Sequence, residues 1–306
     1  MIRIGIVGTG ALASLFAAYL HEVAHVVMVG SWAAQLEALA TNGLLFIDLN
    51  GQERRYAVMA TAHAAVAAPV DVALILVKSY QTETAVSRLT SMLSPTGLAV
   101  TLQNGLGNLE QLAAAVGPQR ATLGVVTMGA TLLQPGVVRH AGAGVVYLSP
   151  PPMAHTAFAP LVTVLQQAGL TVQVVADARS LIWGKLAVNA GINPLTAVYR
   201  LSNGQLTEHP ALRSMMETAA YEVEAVAAAQ GIPLPFPDAA AQTVRVAQDT
   251  YHNRSSMLQD IENGRSTEID AICGAVVRYG EQLGVPTPVN RQLWQWVRQL
   301  EIEQNT

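Results

Sequence analysis

The feature that most constrains the fold is the segment Gly8-Thr-Gly10-Ala-Leu-Ala13, which lies between two regular patterns near the start of the chain. The apolar run 3–7 is typical of a β-strand, and the stretch 11–20 is typical of a helix. Gly8 permits a tight turn, Gly10 lets the backbone approach a pyrophosphate, and the small Ala13 allows close packing of the helix on the strand. The segment therefore predicts a dinucleotide-binding βαβ unit.

The N-terminus of the predicted helix offers unpaired N–H groups and a favourable dipole to an anion. We expect a cofactor to contact the turn and the first helical residues, namely Gly8, Thr9, Gly10, Ala11 and Leu12. A glycine turn that binds no ligand is the alternative, but the position of the motif between a strand and a helix favours the dinucleotide.

Short apolar runs alternate with helical stretches through the first half of the chain, a pattern typical of a doubly wound α/β sheet with right-handed crossovers. The predicted strands are 3–7, 26–29, 70–77, 98–102, 122–126 and 170–175, with a helix at 161–168. Glycines and prolines cluster between Gly129 and Pro152, and this stretch is predicted to hold the last, more irregular strands of the same sheet.

The second half of the chain has helical periodicity only. The predicted helices are 180–189, 211–230, 239–251, 267–283 and 290–303. We therefore predict an α/β fold with two domains. We expect residues 1–176 to form a Rossmann-type dinucleotide-binding domain and residues 177–306 to form an all-helical domain.

Composition narrows the classes of partner. A net charge of −4 with 17 Lys and Arg residues gives no electrostatic footprint for nucleic acid, and no basic run marks a membrane surface. We expect neither a membrane span nor a secretory leader, because no stretch is long and apolar enough for a span and the start of the chain has the pattern of a strand. We expect a small-molecule substrate and no metal. The low charged content of 12% suits either large cores or a homodimer interface.

The single cysteine, Cys273, lies in an apolar helical pattern and is expected to be a packed core thiol rather than a nucleophile. One cysteine cannot form an intrachain disulfide, which fits a cytoplasmic location.

The residue at the end of the second strand usually separates the two nicotinamide cofactors, because an acid binds the ribose of NAD and an Arg suits the phosphate of NADP. Neither is present in Val29-Gly30-Ser31-Trp32. Ser31 could hydrogen-bond either cofactor. Lys78, after the third strand, could place positive charge near the adenosine, although a solvated surface lysine is the alternative. We favour NADP, bound as NADPH, over NAD.

Three separated segments carry polar residues suited to reduction of a ketone, which needs a hydride from the cofactor, a proton donor and groups that orient the carbonyl. The first is Gln103-Asn104-Gly105, directly after the strand 98–102. Ligands in open α/β sheets lie outside the carboxyl ends of strands, so Asn104 is expected to contact cofactor or substrate. A simple turn residue before a glycine is the alternative.

The second segment places Lys185, Asn189 and Asn193 at i, i+4 and i+8, on one face of an otherwise apolar helix. A buried lysine with a lowered pKa is a usable acid near neutral pH. A structural polar network is the alternative.

The third segment contains Ser255-Ser256 and, further on, Thr267-Glu268. Ser256 could bind a substrate carboxylate. Glu268 could accept a hydrogen bond from a substrate hydroxyl, or it could orient Lys185. The residues alone favour ordinary structural roles, with Ser255 as a helix cap and Glu268 as a first-turn acid that complements a helix dipole.

Together these segments resemble the ketopantoate reductase family over nearly the whole chain. The resemblance is carried by Gly8-Thr-Gly-Ala-Leu, Val77-Lys78, Gln103-Asn-Gly, Gly184-Lys-Leu-Ala-Val-Asn-Ala-Gly-Ile-Asn-Pro-Leu-Thr-Ala, Ser255-Ser-Met-Leu-Gln-Asp and Thr267-Glu-Ile-Asp. It implies that residues 1–176 are a Rossmann NADP-binding domain and that residues 177–306 are a helical domain for substrate binding and catalysis. The implied activity is NADPH-dependent reduction of 2-dehydropantoate to (R)-pantoate in pantothenate and coenzyme A biosynthesis. The family's usual Arg after the second strand is absent here around Ser31.

The resemblance also implies roles for individual residues. Lys185 would be the general acid, and Glu268 would hydrogen-bond the substrate hydroxyl and help to place Lys185. Asn104 would lie between nicotinamide and substrate, and Lys78 near the 2′-phosphate. The remaining substrate contacts would come from Ser256, which would bind the carboxylate, from Asn189 and Asn193, and from Asn203 and Asn253.

Two alternatives stay open. The first is a related NAD(P)-dependent reductase of another small 2-oxo or hydroxy acid, because the same residue types would serve many such substrates. The second is a dinucleotide-sensing protein without catalysis, which would need the glycine turn but neither Lys185 nor Glu268.

Overall fold

A computed structural model describes residues 1–304, which form two units. The first unit comprises Met1–Gln103 and Asn108–Ala178, and the second comprises Asn104–Gly107 and the described residues from Arg179 onward. The last two residues of the predicted second domain, 305–306, lie outside the described residues.

The first unit contains every strand among the described residues. The strands are β1 (Arg3–Val7), β2 (His25–Val29), β3 (Leu44–Ile47), β4 (Glu53–Tyr56), β5 (Met59–Thr61), β6 (Val70–Ile75), β7 (Leu93–Thr101), β8 (Ala121–Val126), β9 (Gly129–Gln134), β10 (Val137–Gly142), β11 (Val146–Leu148) and β12 (Val172–Val174). The helices of this unit are α1 (Ala11–Leu20), α2 (Ala33–Asn42), α3 (Ala64–Ala67), α4 (Thr82–Met92), α5 (Asn108–Val116) and α6 (Phe158–Gln167). The predicted strand 3–7 and helix 11–20 are confirmed with the same bounds.

The main sheet has eight strands in the order β12-β11-β8-β7-β6-β1-β2-β5. Every neighbouring pair is parallel except β11 with β8. Alternate residues of β6 enter two different cores, with Val72 and Leu74 in one and Ala73 and Ile75 in the other. Burial on both faces is the reason that these strands are continuous apolar runs, and it confirms the predicted doubly wound α/β sheet.

The prediction that the glycine-rich stretch 129–152 only adds strands to the main sheet was wrong for β9 and β10. They form a second sheet of four strands in the order β4-β3-β10-β9, and only β11 joins the main sheet. In β10, Val138 and His140 are buried while Arg139 and Ala141 are exposed. Such alternation suits a sheet with one covered face, whereas a central parallel strand is covered on both faces.

The second unit is helical throughout its described residues. Its helices are α7 (Arg179–Tyr199), α8 (Gln205–Glu208), α9 (Pro210–Ala229), α10 (Ala239–Asp249), α11 (Ser256–Glu262), α12 (Cys273–Leu283) and α13 (Pro288–Gln304). Helix α7 packs against α9, α10, α11 and α13. It continues ten residues beyond the predicted end at 189 and contains Pro194.

The predicted helix 267–283 begins instead at Cys273, and residues 268–272 form bends and turns. The backbone N–H of Thr267 donates to Glu301 at 2.6 Å, and Asp270 accepts the Trp294 indole N–H at 2.7 Å. These bonds to α13 hold the segment in a non-helical path. Cys273 is fully buried, and burial raises the pKa of its thiol well above the usual range, which confirms a core thiol.

Among residues 1–304, no helix combines the length and the apolar character that crossing a bilayer requires.

Candidate functional site

The glycine turn after β1 has the geometry that an anion cradle needs. Gly8 has φ +136°, and a Cβ there would lie 2.7 Å from the Leu76 carbonyl oxygen, so only glycine fits. Gly10 is the N-cap of α1 with no side-chain cap, and a Cβ on it would meet nothing within 4 Å. The space in front of the first turn of α1 is therefore open, and backbone N–H groups line it.

The ends of the two strands that flank β1 lie beside this turn. A Cβ on Gly30, after β2, would be 2.6 Å from Cγ2 of Thr9, so the end of β2 closely approaches the turn. Ser31 and Trp32 follow Gly30, and both are exposed. Lys78 follows β6 and is half-buried. The structure thus places Ser31 and Lys78 beyond the carboxyl ends of strands on either side of the glycine turn, at the switch point where dinucleotides bind in such sheets.

Gln103, to which the sequence analysis gave no role, is buried and hydrogen-bonded beside the segment that leads to Lys78. Its side-chain amide donates to the Val77 carbonyl at 3.1 Å and to the Thr82 hydroxyl at 2.8 Å. Its own carbonyl accepts from the Thr101 hydroxyl at 3.0 Å. Gln103 therefore ties the end of β7 to the residue before Lys78. The sequence feature that could have indicated this role is the position of Gln103 directly after an apolar strand.

In the second unit, Lys185, Glu268 and Asn104 form one polar group. Lys185 lies on α7 and is partly buried. Desolvation lowers the pKa of its ammonium to about 8, and the charge of Glu268 opposes that shift. Glu268 is 6% exposed and accepts a hydrogen bond from the Asn104 side-chain amide at 3.0 Å. A partly desolvated ammonium of this kind can donate a proton near neutral pH.

A close approach of two backbones places Asn104 in this group. Gly105 has φ +77°, and a Cβ on it would lie 2.5 Å from the carbonyl oxygen of Ala271. That same carbonyl accepts the Leu106 N–H at 3.0 Å. The segment that carries Asn104 is therefore held against the turn that carries Glu268.

The predicted polar stripe lies on α7, with Asn189 and Asn193 one and two turns beyond Lys185. Asn193 is only 8% exposed. Neither side-chain amide has a hydrogen-bond partner within residues 1–304. Asn189 is partly buried. Because neither amide is bound by another described side chain, both can hydrogen-bond to a ligand.

The remaining candidates lie around α11. Ser255 caps α11 by accepting the Leu258 N–H at 3.0 Å, which confirms the alternative given for that residue, while Ser256 is exposed in the first turn. Asn203 donates its backbone N–H to the Asn253 carbonyl at 2.9 Å, and its own side-chain carbonyl is buried with no partner in the described chain. Glu268 lies outside any helix, so the first-turn interpretation of this residue was wrong.

Family models match both units of the chain. The model described as "Ketopantoate reductase PanE/ApbA" matches residues 4–152, and "Ketopantoate reductase PanE/ApbA C terminal" matches residues 177–301. The 2-dehydropantoate 2-reductase of Archaeoglobus fulgidus is 38% identical over 300 residues, which cover 98% of each chain. That of Vibrio cholerae is 32% identical over 302 residues, again with 98% of each chain covered.

Solved structures of two kinds superpose on the whole chain. The PanE/ApbA family ketopantoate reductase of Ralstonia eutropha JMP134 has a TM-score of 0.92 at 29% identity, with all of both chains covered. A ternary structure of D-mandelate dehydrogenase with NADH and anilino(oxo)acetate has a TM-score of 0.92 at 26% identity, also with all of both chains covered.

Proposed function

The chain belongs to the ketopantoate reductase family, and from that premise we propose that it reduces 2-dehydropantoate to (R)-pantoate with NADPH. The observation that carries the proposal is the polar group of the second unit. A lysine whose pKa is lowered to about 8 lies near a buried glutamate, and an asparagine holds that glutamate. This arrangement suits proton transfer to a ketone oxygen. The reaction belongs to pantothenate and coenzyme A biosynthesis.

The first unit supplies the cofactor-binding part of the proposal. The open space at Gly10 and the missing Cβ at Gly8 fit a pyrophosphate, with further contacts from Thr9, Ala11 and Leu12. The bound nicotinamide supplies the hydride. Lys78 adds a positive charge and Ser31 a hydroxyl at the adenosine end, and no acid there repels a 2′-phosphate. These features support NADPH.

The second unit supplies the proton and orients the substrate. In our proposal, Lys185 donates a proton from Nζ to the ketone oxygen, and Glu268 accepts a hydrogen bond from the substrate hydroxyl and helps to orient Lys185. Asn104 lies between nicotinamide and substrate. The side chains of Asn189 and Asn193 orient the carbonyl and hydroxyl groups. Ser256 binds the carboxylate, and Asn203 and Asn253 contribute to the same end of the substrate-binding region.

Two further features belong to the proposal. A small 2-oxo acid and a dinucleotide are the only partners that the chemistry requires, and the low charged content of 12% is compatible with a homodimer. Analytical ultracentrifugation of the purified protein measures whether it is a monomer or a homodimer. An NADPH-dependent enzyme with one buried thiol fits the cytoplasm.

The test follows NADPH absorbance with purified protein, ketopantoate and a panel of other 2-oxo acids. We expect fast oxidation with ketopantoate, and a decrease in kcat of roughly 10²- to 10⁴-fold for Lys185→Ala. Because the first unit is untouched, NADPH affinity should be unchanged in that variant. Cofactor binding without turnover of ketopantoate would reject the substrate and leave the dinucleotide proposal intact.

A second candidate is an NAD-dependent dehydrogenase of another 2-hydroxy acid. Two observations favour it, namely the uncharged Ser31 at the end of β2 and the likeness to D-mandelate dehydrogenase bound to NADH. The same panel run with NADH separates the candidates. Ser31→Arg sharpens the comparison, because an Arg at this place should strengthen NADPH binding by about tenfold and leave NADH binding unchanged.

A further inference from the structure

Glu268 lies in an irregular segment, residues 267–272, whose own hydrogen bonds form turns and not a regular helix. Within residues 267–272, the Thr267 hydroxyl accepts the Ile269 N–H at 3.2 Å, and the Glu268 carbonyl accepts the N–H groups of Ala271 and Ile272, both at 3.0 Å. The Ile269 carbonyl also accepts the Ile272 N–H, at 3.3 Å. Turns of this kind are not held rigid by a helical ladder. The position of the Glu268 carboxylate therefore also depends on what binds the segment from outside.

The N-terminal side of the segment is bound by a carboxylate of α13. Oε1 of Glu301 accepts the backbone N–H of Thr267 at 2.6 Å. Glu301 is 9% exposed, so this bond lies out of water, where an acceptor on a backbone N–H is hard to replace. Thr267 immediately precedes Glu268, so the bond acts one residue from the carboxylate.

The C-terminal side is bound by two other residues of the same helix. The Trp294 indole N–H donates to Oδ1 of Asp270 at 2.7 Å. Nη1 of Arg298 lies 3.4 Å from Oδ2 of Asp270 and 3.4 Å from Oε2 of Glu301, so it links the two ends. The indole also packs on Gly274, where a Cβ would lie 3.1 Å from Trp294 Cε2.

We propose that Trp294, Arg298 and Glu301, which we name the α13 clamp, are positioning residues that hold Glu268 in its place beside Lys185 and Asn104. None of the three is a catalytic residue in this proposal. They bind Thr267 and Asp270, on either side of Glu268, and thereby fix the distance between the Glu268 carboxylate and the Lys185 ammonium. The catalytic role of Lys185 and Glu268 rests on the proposed function, whereas the clamp itself does not.

The pKa of Lys185 should indicate whether the α13 clamp holds Glu268 in place. Desolvation lowers the pKa of Lys185, and the nearby Glu268 charge partly restores it. If the clamp is broken, Glu268 moves away and the pKa of Lys185 falls further. Other charged residues that bind the segment include Arg298 and Glu301 of α13 and Arg278 of α12, which donates to the Asp270 carbonyl at 2.8 Å.

The chain has two lysines, Lys78 and Lys185, so the titration of Lys185 can be followed by competitive acetylation with acetic anhydride and peptide mass spectrometry. Only the neutral amine reacts, and Lys78 serves as an internal reference in the other unit. Neither cofactor nor substrate is needed. If the chain fails to reduce ketopantoate, that result rejects the proposed substrate and does not affect this measurement.

Three variants test the clamp. Glu301→Ala removes the acceptor of the Thr267 N–H, Trp294→Phe removes the indole donor while keeping most of the packing, and Glu301→Gln keeps an acceptor oxygen. We expect the Lys185 midpoint to fall by about 0.5 to 1 pH unit in the first two, a threefold to tenfold change in ionisation constant. In Glu301→Gln it should stay close to that of the parent protein.

The matched control is Glu303→Ala, which removes an exposed carboxylate from the same end of α13 and should leave the Lys185 midpoint unchanged. Circular dichroism establishes that each variant is folded, and Trp294→Phe carries the test if Glu301→Ala does not fold. An unchanged midpoint in a folded Glu301→Ala or Trp294→Phe protein would overturn the proposal. An equal fall in Glu303→Ala would also overturn it, because the effect would then not be specific to the clamp.

Discussion

At the scale of single residues, Lys185 shows how burial prepares a side chain for chemistry. A solvated lysine holds its proton too tightly to be an efficient acid near neutral pH. Packing on α7 removes part of its hydration, and the pKa falls to about 8 while Glu268 keeps it from falling further. Two opposing effects, desolvation and an opposite charge, therefore set a value close to the working range of an enzyme.

This balance predicts a pH dependence. If protonated Lys185 is the acid, kcat/KM should be level below a pH of about 8 and should fall above it, because the proton is lost there. The decline approaches roughly tenfold per pH unit. The measurement is kcat/KM for the 2-oxo acid from about pH 6 to about pH 10 with saturating NADPH. A profile that stays level to the alkaline end would contradict a role for Lys185 as the acid.

Substitution of the two glycines of the turn should affect different properties, cofactor affinity for Gly10 and stability for Gly8. Gly10→Ala should leave thermal stability nearly unchanged, because a Cβ there meets nothing within 4 Å. The added methyl occupies the open space, so NADPH affinity should fall by about tenfold or more. Titration of NADPH fluorescence measures the affinity.

Gly8→Ala is the matched variant. Its φ of +136° and a contact of 2.7 Å with the Leu76 carbonyl oxygen should lower stability by roughly 1–3 kcal/mol before any ligand is added. A stable Gly8→Ala protein, or a Gly10→Ala protein with normal affinity, would contradict this account of the turn.

At the scale of elements, α7 and α11 show how two helices are joined at a polar contact. The hydroxyls of Thr196 and Ser255 lie 2.7 Å apart, and both residues are buried. Thr196 donates to the Asn193 carbonyl at 2.8 Å, and Ser255 caps α11. The end of the polar stripe on α7 is thus linked to the first turn of α11, where Ser256 is exposed.

The adjacent serines therefore have separable roles. Ser255→Ala should lower the free energy of unfolding by about 1–2 kcal/mol, because a helix cap and the partner of a buried hydroxyl are both lost. Ser256→Ala should not change stability, but it should raise KM for the 2-oxo acid by about tenfold if Ser256 binds the carboxylate. Chemical denaturation and steady-state kinetics of the pair measure both effects. The reverse pattern would assign the carboxylate contact to Ser255.

At the scale of the whole molecule, the core of the first unit is built on sheets and that of the second on helices. The first unit also contains a buried histidine whose protonation affects its stability. The first unit places a four-stranded sheet over α1, and the contact includes a hydrogen bond of 2.9 Å between the Tyr19 hydroxyl and Nδ1 of His140. Nε2 of His140 is buried without a partner in the described chain. Burial lowers the pKa of His140 below its ordinary value of 6.5.

Acid should therefore destabilise the first unit. Below pH 6.5 His140 of the unfolded chain takes up a proton that the folded protein takes up only at lower pH, so stability falls as pH decreases from 6.5 towards the folded pKa. The loss from this one group is at most about 1.4 kcal/mol per pH unit. His140→Gln should remove this part of the dependence, whereas His63→Gln, at an exposed position, should keep it. Urea denaturation at several pH values measures it, and equal pH slopes in His140→Gln and the parent would contradict the prediction.

Local sequence patterns were sufficient to predict much of the secondary structure and part of the candidate site. The glycine turn with its strand and helix, the strand at 122–126 and the stripe Lys185–Asn189–Asn193 follow from periodicity over a few residues, which local sterics and burial enforce. The second sheet, the non-helical path of 268–272 and the placement of Asn104 beside Glu268 do not follow from it. The last pair is 164 positions apart, and a close approach of two backbones at Gly105 brings the residues together. Such contacts depend on how distant elements pack, because the free energy that selects them comes from burial and hydrogen bonds that no short segment contains.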